Sequence, residues 1–133
     1  MLPKADLHIH TTCSDGKMSP VEVVQIAKEK KLHSFSITDH DTYKGYFEAL
    51  ETANALDIEL IPGVEITSTI GDKEAHILAY YFDPDTSYLE DFLKEQKLAR
   101  KERIKGIIKT VQKSGLQVDY DEVWAEANGA NIG

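Results

Sequence analysis

Cysteine is nearly absent. Cys13 is the single one in 133 residues, so no disulfide can form within the chain and folding needs no oxidising compartment. Positive charge is scarce as well. The chain has 15 Lys and Arg against 23 Asp and Glu, a formal charge of −8, and a surface of that sign lacks the clustered cations that grip a duplex backbone. Duplex DNA is therefore not an expected partner. A phosphate-bearing substrate stays open wherever bound cations supply positive charge locally. No apolar run approaches the ~18 residues of a membrane span, and residues 1–10 contain none of signal-peptide length. The expectation is a cytoplasmic protein that engages no membrane. Internal repeats, low-complexity tracts and linkers are missing too. What remains is 41% hydrophobic, enough to bury the core of one domain.

The apolar pattern along the chain alternates between strand and helix. Residues 5–9 read as a strand, followed by the polar loop of Thr11, Thr12, Cys13, Ser14, Asp15 and Gly16. Ser19, Pro20 and Glu22 then give the signature of a helix start, with a capping serine, a proline at the first helical position and a capping-box glutamate. Val23, Val24, Ile26, Ala27 and Leu32 continue it as an apolar stripe. A strand over 35–38, a helix over about 42–56 and a strand over 60–66 complete a β-α-β-α-β run, which predicts parallel strands joined by right-handed crossovers. The next two strand-like stretches, 66–70 and 74–82, are separated by three residues. A parallel crossover needs about a dozen, so this pair is expected to be an antiparallel hairpin. Beyond residue 85 the chain turns helical, with Leu89, Phe92, Leu93, Gln96, Ala99, Arg103, Ile107, Ile108 and Val111 on one face. Gly106 weakens that helix locally, Ser114 and Gly115 end it, and Asp119 with Glu122 opens a short helix through Trp124 to Ala127.

The side chains able to do chemistry fall at the strand ends. His8 and His10, two apart on a strand, point to one face, and Asp15 follows on the next loop. His40 ends the second strand, Glu65 lies in the third and His76 in the fourth. In α/β folds, ligands gather outside the carboxyl ends of the strands, where separate loops converge. A lone histidine on a strand is ordinarily a packing or surface residue, and an Asp-His pair can be a mere turn. The conjunction of six such groups at four successive strand ends favours a metal centre, with imidazoles and carboxylates suited to Zn²⁺, Fe²⁺ or Mn²⁺. His33 reads as the end of a helix, and Cys13 as a small buried thiol rather than a soft-metal ligand.

These residues carry a resemblance. Asp6-Leu7-His8-Ile9-His10-Thr11-Thr12 with Ser14-Asp15-Gly16 resembles the first motif of the PHP (polymerase and histidinol phosphatase) superfamily. Ile37-Thr38-Asp39-His40-Asp41-Thr42 is similar to its second, Pro62-Gly63-Val64-Glu65-Ile66 to its third, and His76-Ile77-Leu78 to its fourth. Within the superfamily the likeness is to bacterial nucleoside 3′,5′-bisphosphate phosphatases, some of which act as 5′–3′ exoribonucleases on short RNA. The resemblance implies an α/β fold, the N-terminal part of a distorted seven-stranded β/α (TIM-like) barrel. Residues 1–84 would be the partial metal-binding barrel and 85–133 a helical insertion. It also implies two or three divalent ions. His8 and His10 would hold one, Glu65 would bridge it to a second bound by His76, and Asp15 and His40 would hold the third. Glu65, His40 and Asp15 would be the catalytic members, while Asp6 and Asp39 would orient imidazoles from behind. Arg100 and Arg103 could meet a distal phosphate or a base, or else be solvated cations pairing with Glu95 and Glu102 along the helix.

In such relatives, a stretch like Gly129-Ala130-Asn131-Ile132-Gly133 leads into an Arg-Pro-His motif and three further strands with the remaining ligands. The expectation is that this chain corresponds to the N-terminal half, with an incomplete cluster and an open barrel edge suited to self-association. The implied function is metal-dependent hydrolysis of phosphate monoesters of nucleotides, or of short RNA at its 5′ end, by a metal-activated water. The alternative is a catalytically silent metal-binding PHP module with a structural or regulatory role. Against it, all six ligand positions within this stretch are intact.

Overall fold

The computed structural model of the chain describes residues 4–71 and 73–126. The elements run β1 (Ala5–Ile9), α1 (Pro20–Glu29), β2 (Ser34–Ile37), α2 (Lys44–Ala55), β3 (Glu59–Ile70), β4 (Lys73–Tyr80), α3 (Ser87–Lys113) and α4 (Tyr120–Glu126). The start of α1 follows from its sequence. Ser19 Oγ accepts from the Glu22 amide at 3.3 Å, and the Glu22 carboxylate accepts from the Ser19 amide at 2.8 Å. Two otherwise orphaned amides are thereby satisfied. At the other end of the chain, Asp119 Oδ1 accepts from the Asp121 and Glu122 amides and caps α4.

One four-stranded sheet in the order β1-β2-β3-β4 organises the molecule. β1, β2 and β3 are parallel, and β3 pairs antiparallel with β4. The hairpin is present, but its first arm is continuous with the third strand, so that Glu59–Ile70 forms one strand where two were expected. α1 and α2 cover one face of the sheet. Their Val23, Val24, Ala27, Ala49 and Ala53 pack on Phe35 and Ile37 of β2 and on Ile58, with Ile9 and Leu60 at the margin. Alternation along β2 and β3 turns Ser36, Ile61, Gly63 and Glu65 to the opposite face.

That second face is concave. Tyr80 of β4 donates its hydroxyl to the Leu7 carbonyl of β1 at 2.6 Å. In a flat sheet, three strand spacings of ~4.8 Å would hold these strands about 14 Å apart, so the sheet is curled like half a barrel. The curl brings β2 and β3 so close that a Cβ at Gly63 would lie 2.0 Å from Ser36 Oγ and 2.9 Å from Thr38 Cγ2. Gly63→Ala is therefore expected to destabilise the chain by about 1–3 kcal/mol, read from urea denaturation. A wild-type midpoint would show that the curl relaxes freely.

α3 departs from expectation in its buried face. Leu93, Arg100, Ile104 and Ile108 are the buried residues, whereas Ile107 is exposed. The stripe is rotated because an arginine sits at its centre. Gly106 does not interrupt the helix, and Gly115, at φ +93°, turns the chain out of it. The stretch Gly129 to Gly133 and the end of the last helix at Ala127 lie outside the described residues.

Candidate metal centre

All six residues singled out by the strand-end pattern meet in the concavity. Glu65 is the hub, its side chain 5% exposed. Its Oε2 lies 2.9 Å from His8 Nε2 and 2.6 Å from His10 Nε2, and its Oε1 lies 2.9 Å from His76 Nδ1. His10 Nδ1 contacts Asp15 at 2.6 Å, while His40 stands 3.7 Å from Asp15 and 3.9 Å from Glu65. The rings form an arc, with centroids 5.2 Å apart from His8 to His10, 4.6 Å from His10 to His40 and 4.8 Å from His40 to His76.

The backbone explains the convergence. The β1–β2 register slips between Asp6 and Ile9, an irregularity of the kind that re-aims side chains beside functional sites. Past the end of β2, His40 pairs with Glu65 as an isolated parallel bridge. The Asp41 amide donates to the Glu65 carbonyl at 2.9 Å, and the Glu65 amide to the Asp39 carbonyl at 3.2 Å. In the hairpin, Glu65 faces Leu78 and Thr67 faces His76. The period of two thus puts Glu65, Thr67, His76, Glu74 and Tyr80 on the concave face.

Three groups of donor atoms lie within 4.8 Å of one another: His8, His10 and Glu65; His10, Asp15 and His40; His40, Glu65 and His76. Their chemistry fits divalent ions. His10 presents one nitrogen to each of two carboxylates, yet a neutral imidazole carries one N–H. One of the two contacts therefore calls for another cation, a proton or a metal ion. The same holds for His76, whose Nε2 lies 3.0 Å from Glu74.

Electrostatics act in the same sense. Burial pushes the Glu65 carboxyl up, but the hydrogen bonds to His8 and His10 outweigh it and hold the group below the ordinary carboxylate range. For Asp15 too, burial is overcome by the bond to His10. Burial lowers His40, against the pull of Glu65, whereas the Glu74 carboxylate raises His76. The centre therefore keeps its anionic oxygens, and His40 keeps a lone pair for a metal.

The outer residues differ from expectation. Asp39 is fully buried, and its oxygens accept from the Thr11 amide (2.7 Å), Thr11 Oγ1 (2.7 Å) and Ser14 Oγ (2.6 Å). It shapes the loop that carries Asp15. Asp6 accepts from the backbone amide of His8 at 3.3 Å, steadying the strand rather than a ring. Arg100 is no solvated cation, because its guanidinium is buried against Asp41, with Nη2 at 2.7 Å and Nε at 3.0 Å from one carboxylate oxygen, and donates to Thr67 as well. Arg103 pairs with Glu74, not with a neighbour on its own helix. Sequence reasoning passed over Glu74 and Asp41. Glu74-x-His76 repeats the strand spacing of His8-x-His10, a signal that could have exposed Glu74.

His33 lies away from the centre, where its Nδ1 accepts from the Lys4 amide at 3.2 Å. Cys13 is half-buried, and burial raises its thiol pKa, which keeps it from being a ready thiolate ligand. Among the described residues, no helix is long and apolar enough to cross a membrane.

Residues 6–127 match the model of a family described as the PHP domain. The chain is 37% identical over 129 residues to a 5′-3′ exoribonuclease of Haemophilus influenzae, covering 97% of this chain and 47% of that protein. It is 31% identical over 116 residues to the 3′,5′-nucleoside bisphosphate phosphatase of Chromobacterium violaceum, covering 87% of this chain and 41% of that one. The chain thus spans about half the length of the curated relatives it matches. Among solved structures, a Bifidobacterium adolescentis protein classed with the metal-dependent phosphoesterases superposes with a TM-score of 0.81 at 32% identity, over 92% of this chain and 43% of that one.

Proposed function

The chain belongs to the PHP domain family, and from that premise we propose that it supplies the first half of a centre hydrolysing phosphate esters of nucleotides. The substrates in this reading are 3′,5′-nucleoside bisphosphates, the class in one relative's name, or the 5′ ends of short RNA, in keeping with another relative's name as a 5′-3′ exoribonuclease. The carrying observation is the hub at Glu65, one buried carboxylate on β3 in contact with three imidazoles, His8 and His10 from the first strand region and His76 from the fourth. The concave sheet is then the first part of a seven-stranded barrel, with 1–84 as barrel and 85–133 as helical insertion. Further strands would pair with β1 and β4, the two edges of the sheet.

In this reading His8, His10 and Glu65 would hold one ion, Glu65 with His76 a second, and Asp15 with His40 a third, so that no neutral imidazole serves two ions. Mn²⁺, Zn²⁺ and Fe²⁺ suit that donor set. Divalent ions held there supply a water of lowered pKa and positive charge for the phosphoryl oxygens. The chain's own residues do the positioning. Glu65 joins two donor groups, buried His40 stays unprotonated at neutral pH, and Asp39 with Thr11 and Ser14 keeps the Asp15 loop in place. Bound cations also answer the chain's net charge of −8, which by itself repels a polyphosphate substrate.

The test is turnover of adenosine 3′,5′-bisphosphate and of 5′-phosphorylated short RNA, by the 133-residue chain and by the chain joined to the C-terminal half of a relative. The completed protein is expected to hydrolyse one of them with added Mn²⁺ or Zn²⁺. The chain alone is expected to be at least ~10²-fold slower, as misplacement of a reacting group by about 1 Å already costs that much. A completed protein that binds metal without turnover would instead be the silent module.

A further inference from the structure

We propose that α3 is a positioning element for the metal ligands, with Arg103 acting through Glu74 on His76, and Arg100 through Asp41 and Thr67 on the strand ends that carry His40 and Glu65. The inference rests on the metal-centre reading and gives the two arginines a different task from gripping substrate phosphate.

Arg100 and Arg103 are three apart on one helix face, and each meets a carboxylate, Asp41 in the loop after β2 and Glu74 on β4. Arg103 pairs with Glu74. The other oxygen of Glu74 lies 3.0 Å from His76 Nε2, and His76 Nδ1 lies 2.9 Å from Glu65. A carboxylate that accepts the outer N–H of a metal-binding imidazole fixes its tautomer and its ring orientation. Here it leaves Nδ1 facing the centre. Glu74 is one-third exposed, so without a guanidinium against it the carboxylate is free to turn to solvent.

The Arg100 contact works on the backbone. Asp41 has φ +51°, a conformation costly for a residue with a Cβ unless its surroundings impose it. They do so from three sides. Its amide donates to the Glu65 carbonyl, its Oδ1 accepts from the Thr67 amide at 2.8 Å, and its Oδ2 accepts from Arg100. His40 precedes Asp41, and Thr67 faces His76 across the hairpin, so this knot sits between the ligands of the second donor group. Both guanidiniums are already neutralised by carboxylates, which makes them poor receptors for a phosphate.

The decisive measurement is Zn²⁺ affinity of the 133-residue chain by competition with a chromophoric chelator. The variants are Arg103→Met, Glu74→Gln, the double variant and Arg103→Lys, with thermal unfolding of the metal-free proteins alongside. These residues are at the surface, so the metal-free unfolding temperature is expected to stay near wild type. Each single variant is expected to weaken the site containing His76 by ~10-fold or more. The double variant should lose no more than the worse single one, because the two residues act in series. Arg103→Lys should recover part of the affinity through its charge. Wild-type affinity in both Arg103→Met and Glu74→Gln, with affinity lost in His76→Ala, overturns the positioning role and leaves the metal centre standing. Additive losses overturn the serial arrangement. Absence of Zn²⁺ binding by the wild-type chain sinks the metal-centre reading and this inference with it.

Discussion

Glu65→Gln is expected to lower the divalent-ion affinity of the chain by more than ~10²-fold, beyond the 10- to 100-fold attributed to residues that only support a ligand. The amide is nearly isosteric, so the loss is one of charge and donor strength rather than shape. Glu65 belongs to two of the three donor groups, and its charge is the buried anion around which His8, His10 and His76 are gathered. Removing it leaves Asp15 as the remaining carboxylate in the three donor groups, and none in the two groups that contain His8 and His76. Acid should reach the same end without mutation. Imidazole must be unprotonated to bind metal, so affinity falls as pH drops through about 6.5. His76, raised by Glu74, protonates early, and His40, lowered by burial, protonates late. Chelator competition from pH 8 to 5.5 checks both points. A Glu65→Gln chain with wild-type affinity would show that the ions bind elsewhere.

Much of this architecture is legible in the residues because local chemistry and tertiary structure agree. Ser19-Pro20 with Glu22 starts a helix whatever surrounds it, and His8-x-His10 aligns two imidazoles on any strand. The three residues between the strand-like stretches 66–70 and 74–82 leave no room for a crossover. The less legible parts are those where partners come from distant positions. Arg100 reads as a substrate-facing or solvated cation because nothing near it in sequence explains its burial, and its partner Asp41 is 59 residues away. That one misreading rotates the buried face of α3. Asp39 fits a histidine-orienting role by its place beside His40, yet Thr11 and Ser14 take its oxygens. The curl of the sheet has no signature in any single strand, and its clearest trace is Gly63, where a side chain would strike Ser36.

Arg100→Met should cost the metal-free chain about 3–5 kcal/mol of stability, the range for removing one partner of a buried ion pair. The guanidinium is 8% exposed and the Asp41 carboxylate 1%, so the figure for surface pairs, about 0–1 kcal/mol, does not apply. Methionine fills most of the volume. The penalty therefore comes from Asp41, left as a buried charge whose carboxylate keeps, among the described residues, the backbone amide of Thr67 as donor. If that is the origin, neutralising the orphan should undo it. Arg100→Met combined with Asp41→Asn is expected to recover most of the loss, since replacing a buried pair as a whole is often near neutral. A cavity or a helix-propensity effect would not be repaired that way. Urea denaturation in the presence of a chelator separates the cases. A loss below about 1 kcal/mol for the single variant would mean that water reaches the pair. A double variant no more stable than the single would mean that Arg100 supports the fold through packing of its alkyl stem between α3 and β3.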